Sequence, residues 1–218
     1  MIRARHQGEA EPANEKQVFV IDDDAAIRSS ILSLFRSVGL QAATFNSTTE
    51  FLSSRKPDLP SCLVLDVHLP GVSGIEFQAE QAKANIRMPI IFITGYGDIP
   101  MAVHAMKAGA VEFLMKPFRD QDLLDAVWVA LDRDSARRDR ERELSNLALA
   151  YETLTAREQQ LFPLVTSGLM HKQIAFKLEL AEGTVKVHLR NIMQKMGAGS
   201  LAALVRMSDL LGIPQHRS

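Results

Sequence analysis

Short apolar runs, separated by stretches with helical spacing, organise the first part of the chain. Val18–Ile21, Cys62–Leu65 and Ile90–Ile93 are continuous apolar segments, too short for helices and each bounded by polar or turn residues. A weaker run of the same kind covers Gln41–Phe45, and a further strand is predicted at Val111–Met115. Between them Ile27, Ile31, Leu34, Phe35 and Val38 recur at helical spacing up to a stop at Gly39. Ser47-Thr48-Thr49-Glu50 has capping-box form before a short helix, and another helix is predicted after Ser73-Gly74-Ile75-Glu76. Two more follow, one from about Ile99 to Ala108 and one carrying Leu123, Leu124, Val127, Trp128 and Leu131. Five strands alternating with five helices predict a doubly wound α/β domain over 17–131, its five-stranded parallel sheet covered on both faces.

The pattern then changes twice. From Asp132 to Asn146 it is almost entirely charged, with Arg137, Arg138, Arg140 and Arg142 interleaved with Asp139, Glu141 and Glu143. Without Gly, Pro or an apolar seam, this predicts a solvated helical linker over 132–153 rather than a coiled coil. Helical periodicity returns over 154–218. Thr155 and Glu158 fit a capping box, Leu161, Leu164 and Val165 mark the first helix, and Gly168 closes it. Further helices are predicted at about Lys172–Leu178, from Ala181 or Glu182 to Met196, and from Ser200 to Leu211. This is an all-α four-helix domain, whose second and third helices form a helix-turn-helix across Glu179-Leu180-Ala181. Residues 1–16 are polar and aperiodic, as in a mobile tail.

Composition narrows the class. The chain has 218 residues, 46% hydrophobic and 23% charged, as in globular proteins. No apolar run approaches the ~18 residues needed to span a bilayer, and the N-terminus lacks the apolar core of a secretory signal. A cytoplasmic protein without a membrane partner is expected. The single cysteine, Cys62, excludes an intrachain disulfide. Residues 1–132 hold 12 Lys/Arg against 17 Asp/Glu, whereas residues 155–218 hold 8 against 4. An acidic front and a basic back fit two domains with different partners, the basic one facing nucleic acid.

Four predicted strands end in residues that carry chemistry: Asp22 and Asp23, Asp66, Thr94, and Lys116. In a parallel sheet these ends share one edge. Asp66 alone reads equally well as a loop cap; with the others it sits among three carboxylates that repel one another unless a cation joins them. Mg²⁺ prefers oxygen ligands and neutralises charge on a transferring phosphoryl group. Lys116 adds a fixed positive charge and Thr94 a hydroxyl donor, leaving Asp66 as a nucleophile that forms an aspartyl phosphate. In the helix-turn-helix, Val185, Leu189 and Ile192 share an inward face. Lys186, Val187 and Arg190 lie opposite, within reach of base edges, with Thr184, His188 and Lys172 placed for phosphates. An amphipathic helix with an ordinary charged face has the same pattern.

These residues carry a family resemblance. Residues 17–131 resemble the receiver domain of two-component response regulators, and residues 154–212 resemble the LuxR-type helix-turn-helix. Together they resemble the FixJ/NarL family. The stretch Thr94-Gly-Tyr-Gly-Asp-Ile-Pro-Met-Ala-Val-His-Ala-Met-Lys-Ala-Gly-Ala-Val-Glu-Phe-Leu-Met-Lys-Pro-Phe118 is especially like the FixJ branch. The resemblance implies a transcription regulator rather than an enzyme, with Asp66 as phosphoacceptor for a sensor histidine kinase. Asp23 is then the direct Mg²⁺ ligand, Asp22 acts mainly through water, and the His68 backbone carbonyl is the third protein ligand. Thr94 and Phe113 become the switch pair, Lys116-Pro117 is cis, and Asp24 is a helix cap rather than a ligand. The His68 imidazole is a neighbour of the pocket, since hard Mg²⁺ prefers oxygen.

Phosphorylation is expected to draw Thr94 inward, turn Phe113, and promote a homodimer through the helix bearing Met101, Val103, Ala105 and Met106. Promoter DNA and RNA polymerase are the implied partners of the second domain. Three departures from the family pattern stand there. Pro163 lies inside a helix, His171 occupies a position often taken by a capping Asn, and Gly183 loosens the start of the recognition helix. Two alternatives remain: a regulator that binds DNA without phosphorylation, and an aspartate-nucleophile phosphatase. The latter resembles Asp-X-Asp, where this chain has His68 in the second place.

Overall fold

The apolar runs form a single parallel sheet. Strands β1 (Gln17–Ile21), β2 (Gln41–Phe45), β3 (Ser61–Asp66), β4 (Ile90–Thr94) and β5 (Glu112–Met115) lie in the order β2-β1-β3-β4-β5. Every pairing is parallel. The computed structural model describes residues 16–83, 86–97 and 99–214; the expected tail, but for Lys16, lies outside them. The chain divides into two units between Arg138 and Asp139.

Period-two alternation builds two cores from the same strands. Val18, Val20, Cys62, Val64, Ile91 and Ile93 face one side, against Ile31 and Phe35 of α1 (Ala25–Ser37) and Leu123, Val127 and Leu131 of α5 (Asp120–Glu152). Phe19, Ile21, Leu63, Leu65 and Phe92 face the other, covered from α2 (Thr48–Ser53), α3 (Gly74–Lys83) and α4 (Ile99–Lys107). Phe51 there meets Phe19, Phe45 and Phe77 edge-on, with centroids 5.4, 5.5 and 6.1 Å apart. Cys62 is fully buried in the first of these cores, where burial and the charge of Asp134 push its thiol well above the ordinary range.

Caps fix the helix starts beside the sheet's carboxyl edge. Asp24 caps α1, accepting from the Ala26 amide at 2.7 Å, as expected. Ser47 caps α2, but Glu50 reaches the Asn46 amide at 2.9 Å rather than that of Ser47, so the expected box is displaced by one residue. Helix α5 continues through the expected linker as far as Glu152. That stretch is not uniformly solvated: Asp134 is 1% exposed.

The second unit packs α6 (Ala156–Thr166), α7 (His171–Leu178), α8 (Glu182–Lys195) and α9 (Leu201–Leu210) around Leu161, Phe162, Ile174, Val185, Ile192 and Leu204. Helix α6 runs unbroken through Pro163, whose carbonyl still accepts the Ser167 amide at 3.1 Å. His171 is the first residue of α7, not its cap. Met170 takes that position, and the Gln173 side chain accepts from its amide at 2.8 Å. The α7–α8 turn bends through Glu179, which has φ of 54° without being glycine.

The capping box at Thr155 is present in full, and Glu158 does more than cap. It is 2% exposed, accepts the Thr155 amide at 2.8 Å and takes an ion pair from Lys195 of α8 at 2.6 Å. Burial pushes the carboxyl upward, but the Lys195 bond and the Thr155 amide and hydroxyl outweigh it, holding Glu158 below the ordinary value of 4.5. A depressed folded-state value gives stability that is present above the unfolded value and lost as pH falls through the folded one. The second unit therefore loses this contribution below about pH 4.5. Glu158→Gln is expected to cost about 1–3 kcal/mol at pH 7 and to flatten the acid limb of stability. Urea melts followed by circular dichroism at pH 7 and at acid pH check this; an acid limb as steep as the wild type's would disprove it.

Candidate functional site

The strand order reverses at β1, between β2 and β3, and there the carboxyl edge opens. Asp22 follows β1 and is fully buried; Asp66 ends β3 at 6% exposure; Thr94 ends β4, fully buried. Lys116 follows β5, its amide bonded to the Thr94 carbonyl at 2.7 Å. Its ammonium lies 2.6 Å from Asp22 Oδ2 and 2.9 Å from Asp66 Oδ2. The other oxygens are held by backbone: Asp22 Oδ1 accepts the Asp24 amide at 2.9 Å, and Asp66 Oδ1 the His68 amide at 3.1 Å. The Lys116–Pro117 peptide is cis, as the resemblance implied.

Burial raises the Asp22 carboxyl above its ordinary value, against the opposing pull of Lys116 and the Asp24 amide. Burial pulls Lys116 down, but its bonds to Asp22 and Asp66 outweigh that and hold the ammonium above its ordinary value. Exposed Asp23 completes a group in which one oxygen from each of Asp22, Asp23 and Asp66 lies within 4.8 Å of the others. Three carboxylates against one ammonium leave a formal charge of −2. An all-oxygen donor set with that charge fits a hard divalent cation.

Thr94 Oγ1 lies 3.0 Å from His68 Nδ1, 3.1 Å from the Tyr96 carbonyl and 3.2 Å from the Tyr96 amide. A hydroxyl has one proton to give, so donation to an incoming oxygen requires release of whichever acceptor holds it here. The His68 side chain is thus an exposed neighbour of the pocket, in contact with the Thr94 hydroxyl. Phe113 is half-buried, its ring 6.3 Å from Phe92.

Two glycines that the apolar pattern does not single out shape this edge. A Cβ at Gly74 would lie 2.5 Å from the Asp66 carbonyl oxygen and 3.1 Å from Val67 Cα. One at Gly97 would lie 2.9 Å from Thr94 Cγ2 and 3.0 Å from Phe113 Cε1. Their positions in Ser73-Gly74 and Tyr96-Gly97, just after strand-end chemistry, are the only sequence signal. On α4, Val103 and Met106 are exposed beside Ile99, whereas Ala105 is buried and Met101 packs half-buried against the core.

In the second unit Thr184, Lys186, Val187 and Arg190 of α8 are exposed, as is Lys172 of α7. Val185 and Ile192 are buried and Leu189 half-buried, as the periodicity predicts. His188 is half-buried, and its Nδ1 has no hydrogen-bond partner among the described residues. A Cβ at Gly183 would meet open space, so packing within the chain does not require glycine there.

Comparison with known proteins agrees with both halves. Residues 18–128 match the response regulator receiver domain, and residues 152–208 match the luxR family of bacterial regulatory proteins. The chain is 56% identical over 211 residues to nodulation protein W of Bradyrhizobium diazoefficiens, covering 97% of this chain and 93% of that protein. It is 40% identical over 196 residues to the transcriptional regulatory protein FixJ of Azorhizobium caulinodans, covering 90% and 93%. The solved structure of the response regulator StyR matches with a TM-score of 0.80 at 48% identity, over 89% of this chain and 98% of that one. In both halves, and along nearly all of its length, the chain belongs to the FixJ-like response regulators, transcriptional regulators of two-component systems that join a receiver domain to a LuxR-type DNA-binding domain.

Proposed function

We propose that Asp66 accepts a phosphoryl group from a sensor histidine kinase, and that the phosphorylated chain dimerises and regulates promoters through α8. One observation supports this above the rest: Lys116 bridges Asp22 and Asp66 at 2.6 and 2.9 Å, leaving Asp66 at the rim of an acidic pocket. An Asp66 oxygen bonds to phosphorus as the donor's P–N bond breaks. Lys116 and the Thr94 hydroxyl then meet the new phosphoryl oxygens. Asp22, Asp23, Asp66 and the His68 carbonyl would hold Mg²⁺, which when bound offsets negative charge on the transferring group. Thr94 leaves Tyr96 and His68 for the phosphoryl group, and Phe113 turns into the space it vacates. Exposed Ile99, Val103 and Met106 on α4 supply an apolar face for a second copy, and the work of the chain is regulatory rather than catalytic turnover.

On DNA, Lys186, Val187 and Arg190 reach base edges, while Lys172, Thr184 and His188 meet phosphates. RNA polymerase is the further partner in activation. Arg190→Ala is expected to cost about 1–3 kcal/mol on a selected site and to relax its sequence preference. Lys172→Ala should weaken all sequences alike and reduce the salt slope by about one. Fluorescence anisotropy over a salt series separates the two. Unchanged affinity in both variants would overturn the proposed DNA-reading face.

A further inference from the structure

We infer that Asp134 is a positioning residue that fastens the middle of α5 to β3, the strand whose far end carries Asp66. Resting on the proposed phosphorylation switch, we infer further that this fastening carries the switch to DNA affinity. Asp134 lies beyond the residues that match the receiver family and before those that match the luxR family. By composition it belongs to a charged, solvated segment, yet it is buried and fully bonded.

The need for it follows from the sheet. Alternate amides of β3 point to the β4 side, and Leu63 is bonded there to the Pro89 carbonyl at 2.9 Å. The Ser61 amide, two residues earlier, points the same way before β4 begins, and Ser61 is 1% exposed. Asp134 Oδ2 accepts this amide at 2.9 Å across 73 residues of sequence. Burying the carboxylate is tolerable because its own helix supplies the cations. Arg137 donates to Oδ1 from Nε at 3.1 Å and Nη2 at 2.6 Å, and Arg138 Nε donates to Oδ2 at 2.7 Å. Arg138 also pairs with Asp58, just before β3. The charge is closed along the helix, while the Ser61 and Asp58 contacts tie that helix to the sheet. Residues 132–138 therefore belong with the receiver, and the second unit begins only after Arg138.

Hydrogen exchange on the full-length chain tests the anchor directly. In Asp134→Ala, amides over 132–140 are expected to exchange about tenfold faster, while those of 62–65 stay protected. Asp134→Asn keeps an acceptor for Ser61 and should fall between the two. Uptake from acetyl phosphate with Mg²⁺ should stay within about twofold of wild type. The gain in affinity on phosphorylation, for a duplex selected from a random pool by the wild-type chain, should be lost. Unchanged exchange over 132–140 would overturn the anchor, and an intact DNA response with raised exchange would overturn its transmitting role. Should Asp134→Ala fail to fold, Arg138→Gln carries the same readouts, with a rise of about threefold expected. A wild-type chain whose DNA affinity ignores phosphorylation would instead sink the functional reading, and the exchange result would still decide the anchor.

Discussion

Asp66→Asn is expected to reduce phosphoryl uptake from acetyl phosphate to background, a loss on the order of 100-fold or more, equivalent to about 2.7 kcal/mol of barrier. The amide matches the carboxylate in shape but lacks its negative charge and nucleophilic oxygen. Lys116 keeps its 2.6 Å bond to Asp22, so its charge remains compensated. The buried carboxylate pair loses one member, which relieves repulsion as it removes one ion pair. The fold should therefore survive with a stability change of about 1 kcal/mol or less. Intact-mass spectrometry after treatment with acetyl phosphate and Mg²⁺ reads the result directly. Uptake at the wild-type rate would remove Asp66 from its proposed role.

Gly74→Ala is expected to damage stability and phosphoryl uptake together. The added Cβ would stand 2.5 Å from the Asp66 carbonyl oxygen, 3.1 Å from Val67 Cα and 3.2 Å from Leu65 Cγ. Two of these are backbone atoms of the segment that positions Asp66, and no rotamer change moves them. Either α3 withdraws, breaking the 3.0 Å bond from the Gly74 amide to the Val67 carbonyl, or the end of β3 shifts. Overpacking of this kind costs about 1–3 kcal/mol, and Asp66 is displaced from Lys116 in the same step. A urea midpoint unchanged from wild type, with normal uptake, would show that the junction yields more easily than its geometry indicates.

The parallel sheet was legible because strands buried on both faces carry continuous apolar runs, and those runs end where the sheet ends. For the same reason Asp22, Asp66, Thr94 and Lys116 could be placed on one edge from their positions alone. Asp134 was not legible. A carboxylate among arginines at helical spacing has the pattern of a solvated face, and the Ser61 amide that it meets, which no strand bonds, lies 73 residues away. Gly74 and Gly97 were missed because their importance lies in contacts at Cβ distance, which hydrophobic patterning does not encode. The start of α7 fell at His171 because the Gln173 side chain, not a residue at the cap, satisfies the free amide of Met170. The contact of His68 with Thr94 depends on how the loop after β3 meets the end of β4, which residue spacing alone does not specify.

Cys62 has a practical consequence. The chain's single thiol is fully buried in the middle layer of the first unit, and burial together with the charge of Asp134 suppresses its ionisation. Alkylating reagents act on thiolates, so in the native state this cysteine is chemically silent. A cysteine introduced on an exposed helical surface can be labelled alone, and two such cysteines can carry a spin-label or fluorophore pair across the two units. Distances between the units, before and after phosphorylation, are therefore measurable in the full-length chain with its native cysteine left in place.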